Sequence, residues 1–261
     1  MMNTKVSVYI LTFNEEDKIR DAIQSVLWAD EIIVADSFST DKTAQIAQEL
    51  GAKVVNIPFK TFGQIRNDAM AACSYEWIFS LDADERCTEN SHQEILNTIR
   101  NPQADAYFVP RRNWFLGRWI MHSGWYPDYR QPQLFRQHVM TFNAQDEVHE
   151  TYTIDGKIDY LQQDIIQIPY KDMSQLIHKM QRYSSLGAEK LERNGKQGGL
   201  GKGLFHGLWN FFKHYVLKLG FLDGRAGFII ALGNFEGTFY RYAKAAEISK
   251  KWNNHPPTSL K

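Results

Sequence analysis

Apolar and polar positions along the first hundred residues switch repeatedly between the period of a strand and that of a helix. Lys5–Leu11 is a short apolar run and reads as a strand. Ile19, Ala22, Ile23, Val26 and Leu27 then recur at helical spacing and predict a buried stripe. Asn14 is placed to cap that helix, with Glu15, Glu16 and Asp17 in its first turn. Glu31–Asp36 reads as a second strand, followed by a helix that Ser39 or Thr40 caps and Gly51 closes. Lys53–Ile57 is a third strand ended by Pro58, and a third helix covers about Phe62–Cys73. Trp77–Leu81 is nearly continuous in apolar residues, as a strand covered on both faces must be. Alternation of this kind predicts an α/β fold with a mostly parallel sheet and right-handed crossovers.

Past Arg100 the pattern changes. Ala106–Pro110 and Gln133–Arg136 read as strands on either side of an aromatic stretch holding Trp114, Trp119, Trp125 and Tyr126, which suits a core more than a sugar-stacking surface. Nearby Asp128 and Arg130 are candidate hydrogen-bonding groups for an acceptor. Residues 174–193 return to helix, Gly195–Gly203 reads as a flexible break, and Leu204, Phe205, Leu208, Phe212, Tyr215, Val216 and Leu219 resume helical spacing. A last helix runs from about Arg225 to Glu247, and the tail NNHPPTSLK reads as disordered.

Composition adds little to this picture, but charge adds an asymmetry. The 261 residues are 43% hydrophobic and 23% charged, with a formal net charge of zero. Residues 1–177 carry 16 Lys/Arg against 25 Asp/Glu, a balance of −9, and residues 178–261 carry 14 against 5, a balance of +9. The expectation is a catalytic domain over 1–177 and a basic helical region over 178–261 that meets an anionic membrane surface. Mutual attraction of the halves is the simpler alternative. Nucleic acid is not an expected partner. Two cysteines, Cys73 and Cys87, make no disulfide framework. No apolar run approaches the length of a membrane span, and the N-terminus lacks the pattern of a signal peptide. These features together predict a cytoplasmic protein.

Ligands of parallel sheets bind at the carboxyl ends of the strands. Three polar clusters fall there: Thr12-Phe13-Asn14-Glu15, Asp36-Ser37 and Asp82-Ala83-Asp84. The segment FSLDADER packs Asp82, Asp84 and Glu85 so closely that they repel one another unless something positive sits among them. Alternate residues of a strand share a face, so Asp82 and Asp84 are expected to turn toward one ion, and hard oxygen donors suit Mg2+ or Mn2+. Other phosphate-binding devices are missing. The turn after the first strand reads TFNEE, without the glycines of a dinucleotide site, and no P-loop is present.

The runs VYILTFNEEDKIRDAIQSVLWADEIIVADSFSTDKTAQIA, QIRNDAM and WIFSLDADER resemble the inverting family 2 glycosyltransferases of the GT-A fold. Within that family, VHE and YVLKLGFLDGRAGF are similar to bacterial glucosyltransferases of lipopolysaccharide inner-core synthesis. The resemblance implies a nucleotide-sugar donor, UDP-glucose in the first instance, and a glycolipid or polysaccharide acceptor. It implies donor contacts from Thr12, Asn14, Glu15, Asp36, Arg66 and Asp82, and a metal on the DXD aspartate Asp84. It also implies a general base in DEVHE, for which Glu150 is chosen over Asp146 and Glu147. Related enzymes often carry a histidine just before the segment IPYKDM, where this chain has Gln167; His149 reads first as a hydrogen-bonded structural histidine, with metal or diphosphate ligation as the alternative. A protein acceptor, or a non-catalytic nucleotide-sugar-binding scaffold, remains open at this point.

Overall fold

A computed structural model describes residues 4–145 and 151–250. In chain order the first elements are β1 (Val6–Thr12), α1 (Ile19–Gln24), β2 (Glu31–Asp36), α2 (Thr43–Glu49), β3 (Lys53–Asn56), α3 (Phe62–Ala71), β4 (Trp77–Asp82), β5 (Glu85–Arg86) and α4 (Glu89–Arg100). Short strands follow: β6 (Ala106–Phe108), β7 (Arg111–Phe115), β8 (Arg118–Ile120), β9 (Leu134–Arg136), β10 (Met140–Phe142), β11 (Tyr152–Ile154), β12 (Ile158–Tyr160) and β13 (Ile165–Gln167). The chain ends in α5 (Met173–Arg193), α6 (Leu200–Phe212) and α7 (Gly224–Lys250). It divides into two compact units, Met1–Trp114 with Tyr126–Pro169, and Phe115–Trp125 with Tyr170–Lys261.

In the first unit a seven-stranded sheet has the order β12-β6-β9-β4-β1-β2-β3. β1 lies between β2 and β4 and is parallel to both. Only β9 runs against its neighbours. The central strands are apolar throughout because both faces are covered. Val6, Val8 and Ile10 pack with α1 and α4 in one core, while Tyr9 joins Ile33, Ile65, Met70 and Phe135 in the other. Register then sets the site. Thr12 pairs with Asp36 and Leu11 with Asp82, so β1, β2 and β4 end level at one carboxyl rim. β10 and β11 form a separate antiparallel pair, and β5-β13-β7 lie side by side in a smaller sheet.

Several local expectations need correcting. Asn14 caps nothing. It has a φ of 54° and its side-chain oxygen accepts from Thr40 N at 2.8 Å. Neither Ser39 nor Thr40 caps α2, because the Ser39 hydroxyl donates to Asp36 Oδ1 and accepts from Asn14 N on the opposite loop instead. Of the expected buried stripe only Leu27 is exposed; α1 stops at Gln24, and Val26 beyond that end is still buried. The predicted break at Gly195–Gly203 is shorter than expected, as α6 starts at Leu200.

That last difference has a packing cause within the second unit. Gly203 and Gly207 are the buried residues of α6. A Cβ at Gly207 would fall 2.9 Å from the Phe235 ring, and one at Gly203 3.0 Å from the Phe239 carbonyl. The glycines let α6 approach α7 closely. A π-helical turn over Lys213–Leu217 and a 3-10 turn over Gly220–Asp223 connect the two helices. Asp223 is buried and accepts from Met121 N, His122 N and Ser123 Oγ, which ties the 121–123 segment to the helix pair.

Candidate active site

The positive groups that the acidic segment needs are arginines from α3, from β7 and from the loop before β9. Ser80 and Asp82 follow Ile78 at alternate positions of β4 and share its face. Arg66 of α3 reaches both, donating from its guanidinium to Ser80 Oγ at 3.3 Å and to Asp82 Oδ1 at 3.3 Å. It is buried and lies over the Phe142 ring, 5.6 Å from the centroid. Burial acts to raise the Asp82 pKa, but Arg66, Arg111 and Arg130 outweigh it and hold the carboxyl below its ordinary value.

Glu85 is fully buried. Its Oε1 accepts from Arg111 Nε, and its Oε2 accepts from Asp82 N at 2.9 Å and Gln133 Nε2 at 3.0 Å. Burial, reinforced by Asp82 and Asp84, pushes the Glu85 carboxyl up despite Arg111. Arg111 also donates to the Asp128 carbonyl at 2.7 Å.

Asp84 lies past the end of β4, in the turn before β5, so strand alternation stops at Asp82. The two aspartates therefore have different partners. Gln167 Nε2 lies 3.3 Å from each Asp84 carboxyl oxygen, and Gln167 Oε1 accepts from Arg130 at 3.3 Å. Gln167 thus turns its amide nitrogen, a donor, toward Asp84 and commits its oxygen elsewhere. Arg130 also pairs with Asp128 at 2.7 Å.

On the neighbouring strands, Thr12 Oγ1 donates to Asp36 Oδ1 at 3.0 Å, and Ser39 N donates to Asp36 Oδ2 at 2.8 Å. Asn14 N and Glu15 N donate to Ser39 Oγ and Thr43 Oγ1, both at 2.8 Å, so the loop after β1 is fastened to the loop after β2. Lys18 pairs with Glu15 at 3.0 Å. Removing the Thr12 hydroxyl should be costly because both it and Asp36 are buried. Thr12→Val is expected to cost about 1.5–3 kcal/mol, the range for a hydrogen bond to a charged group, read as a lower midpoint in urea denaturation.

Thr12, Asn14, Glu15, Asp36, Arg66, Asp82 and Asp84 all belong to the first unit, on or beside the ends of β1, β2 and β4. Glu150, with the rest of DEVHE, lies outside the described residues, as does the 253–261 tail. Sequence reasoning missed Glu85 as a buried group, along with its partners Arg111 and Gln133. One polar signal was available for the Arg66 contact: Ser80 interrupts an otherwise apolar strand two positions before Asp82. The aromatic stretch divides. Trp125 packs with Phe115 and Tyr170 in the second unit's core, and the Tyr126 hydroxyl donates to Asp164 at 3.0 Å.

Among the described residues no group of three or more His, Cys, Asp or Glu is arranged to hold a metal. The acidic oxygens at the β4 mouth do fit an ion of the magnesium type, which takes one or two carboxylates and fills its remaining positions with substrate phosphates and water.

The family model for glycosyl transferase family 2 matches residues 7–154, more than half of the chain. An uncharacterized glycosyltransferase of Rickettsia felis is 30% identical over 265 residues, covering 96% of this chain and 92% of that protein. The lipopolysaccharide core biosynthesis glycosyltransferase LpsC of Rhizobium meliloti is 26% identical over 258 residues, covering 94% of this chain and 92% of its own length. Among solved structures, S. aureus TarS 1-349 in complex with UDP is similar in fold, with a TM-score of 0.51 at 15% identity over 95% of this chain and 92% of that one. With strands β1, β2 and β4 level at an acidic carboxyl rim, and relatives matched along almost the whole length, the chain belongs to glycosyl transferase family 2 and is a glycosyltransferase of the GT-A fold.

Proposed function

We propose that the enzyme transfers a sugar, glucose in our reading, from a UDP-sugar to a lipid-linked or lipopolysaccharide-core acceptor. It does so with inversion, in one displacement, at the inner face of the cell membrane. The observation that carries this reading is the shared carboxyl rim of β1, β2 and β4, with Asp36, Asp82 and Asp84 along it. The near full-length similarity to a lipopolysaccharide core glycosyltransferase supports the acceptor class.

In this proposal Asp36, held by Thr12 and Ser39, takes the base, and the linked loops bearing Asn14 and Glu15 line the nucleotide. Asp82, fixed by Arg66, takes the ribose side, while Arg66 brings positive charge to the β4 mouth for the diphosphate. A magnesium or manganese ion held by Asp84 would supply charge neutralisation for the leaving phosphate. Glu150 removes the proton from the attacking hydroxyl. Its segment joins β10 to β11, and Asn67 of α3 binds Phe142 at the end of β10 through both N and O, beside Arg66.

Acceptor binding on the same rim is supported by three rings. β6 and β12 are parallel to each other and, through β9, run in the direction of β4. At their carboxyl ends Phe108 stacks on Tyr160 at 5.1 Å, and Tyr129 packs edge-on to both. Tyr129 and Tyr160 are exposed, and an aromatic face with a hydroxyl edge suits a sugar ring.

The test is UDP release from UDP-glucose with a lipopolysaccharide-core acceptor present, with and without manganese. Manganese-dependent release that requires acceptor is the expected result. UDP binding without turnover on any acceptor would leave a scaffold. Glu150→Gln should retain UDP-induced thermal stabilisation but lose about 100-fold or more in transfer. Unchanged turnover would move the base to Asp146 or Glu147.

A further inference from the structure

The outward surface of α6 and the turns after it have the wrong polarity for water. An ordinary surface helix turns its large apolar residues inward and its small or polar ones out. α6 does the reverse. Gly203, Gly207 and Asn210 face α7, with Asn210 Nδ2 donating to Thr238 Oγ1 at 2.7 Å. Leu204, Phe205, Leu208, Trp209 and Phe212 point away, Phe205 being 71% exposed and Trp209 53%. The surface continues through exposed Val216, Leu217, Leu219, Phe221 and Leu222. Soluble surfaces seldom leave so many large apolar side chains exposed in one stretch of chain without something to cover them.

Charge identifies what covers it. Between Lys196 and Phe235 the chain has five Lys/Arg, at 196, 202, 213, 218 and 225, and one acid, Asp223. That acid is buried and engaged with the 121–123 segment, so it offers nothing outward. Lys202, Lys213 and Arg225 are exposed. A second copy on this face would set cations against cations. Among the described residues no helix is long and apolar enough to cross a membrane.

We infer that the α6 face, from Leu204 through Leu222, is an interfacial docking surface for an anionic membrane leaflet, with Phe205 and Trp209 entering the headgroup–acyl boundary and Lys202, Lys213 and Arg225 on lipid phosphates. This deepens the reading that the acceptor is lipid-linked and rests on it for its purpose, though its test does not depend on it. Docking would hold the enzyme in the plane where such acceptors lie.

The full-length protein is mixed with phosphatidylcholine vesicles, with or without phosphatidylglycerol, and floated on a density gradient. Flotation with the anionic vesicles is expected, falling about tenfold or more in Phe205→Glu/Trp209→Glu. Wild-type flotation with the anionic vesicles should fall with added salt, and Lys202→Glu/Lys213→Glu should weaken it at low salt and flatten that salt dependence. The mutated side chains are exposed, and circular dichroism with UDP-induced stabilisation checks that the variants remain folded. No flotation with either vesicle type overturns the inference, as does equal flotation of the Phe205/Trp209 variant. A wild-type dimer that the same variant disperses, without vesicle binding, overturns it in favour of a self-interface. Transfer to a deacylated, water-soluble acceptor is measured on the same preparations. Its absence in a vesicle-binding wild type would count against the proposed activity and leave the docking surface standing.

Discussion

Asp84→Asn is expected to abolish the manganese-linked stabilisation that UDP confers and to lower transfer by about 100-fold or more. The reason lies in how the acidic cluster is partnered. Asp82 is paired with Arg66 and Glu85 with Arg111, so the charges of those two acids are balanced by protein cations. Asp84 lies in the turn just past β4, where the amide of Gln167 faces its carboxylate, and that carboxylate is the metal ligand of the proposed function. Asparagine keeps the shape and one oxygen but loses the charge. Thermal shift with UDP, scanned over manganese concentration, reads the effect. Full stabilisation of the variant by UDP and manganese would remove Asp84 from the metal site.

The second large effect is on stability. Arg111→Met leaves Glu85 buried without its counter-charge and is expected to cost about 3–5 kcal/mol at neutral pH. Glu85 is already raised above the ordinary carboxylate value by burial, with Arg111 acting against that rise. Removing Arg111 raises it further. A carboxyl whose folded pKa exceeds its unfolded one binds its proton more tightly in the folded state, so stability falls as pH rises between the two values. The variant's deficit should therefore be small near the unfolded pKa and grow to its full size above the folded one. Urea denaturation at about pH 5 and about pH 8 measures both ends. Arg111→Met/Glu85→Leu, which removes both charges, should lose less than Arg111→Met alone. A deficit independent of pH would mean that Glu85 is not the group being left uncompensated.

Asp82 has the opposite sign. Its folded pKa is depressed, so its contribution is present above the unfolded value and is lost as pH falls through the folded one. The two neighbouring acids thus respond to pH in opposite directions because Asp82 gains more from Arg66, Arg111 and Arg130 than burial takes away, whereas Glu85 does not.

How much of this was legible without coordinates can be judged from particular residues. β2 was predicted at its observed bounds, and β1 and β4 to within one residue at either end, because alternating periods are a short-range property of the chain. The ends of those strands, and with them Thr12, Asp36 and Asp82, followed directly. Capping was misread at Asn14 and Ser39. Both side chains had a better partner on the opposite loop, more than 20 residues away, than in the helix they precede.

By itself, then, the amino-acid order determined the alternating architecture, the acidic rim and the existence of an apolar stripe near the C-terminus. Only the tertiary structure decided which arginine faces which carboxylate, that Glu85 is wholly buried, and that Gln167 turns its nitrogen to Asp84. It alone decided that the stripe of α6 faces outward. Periodicity shows that large and small residues lie on opposite sides of a helix, but it cannot say which side meets a neighbour. That choice depends on the close approach of Gly203 and Gly207 to α7, a contact between residues far apart in the chain.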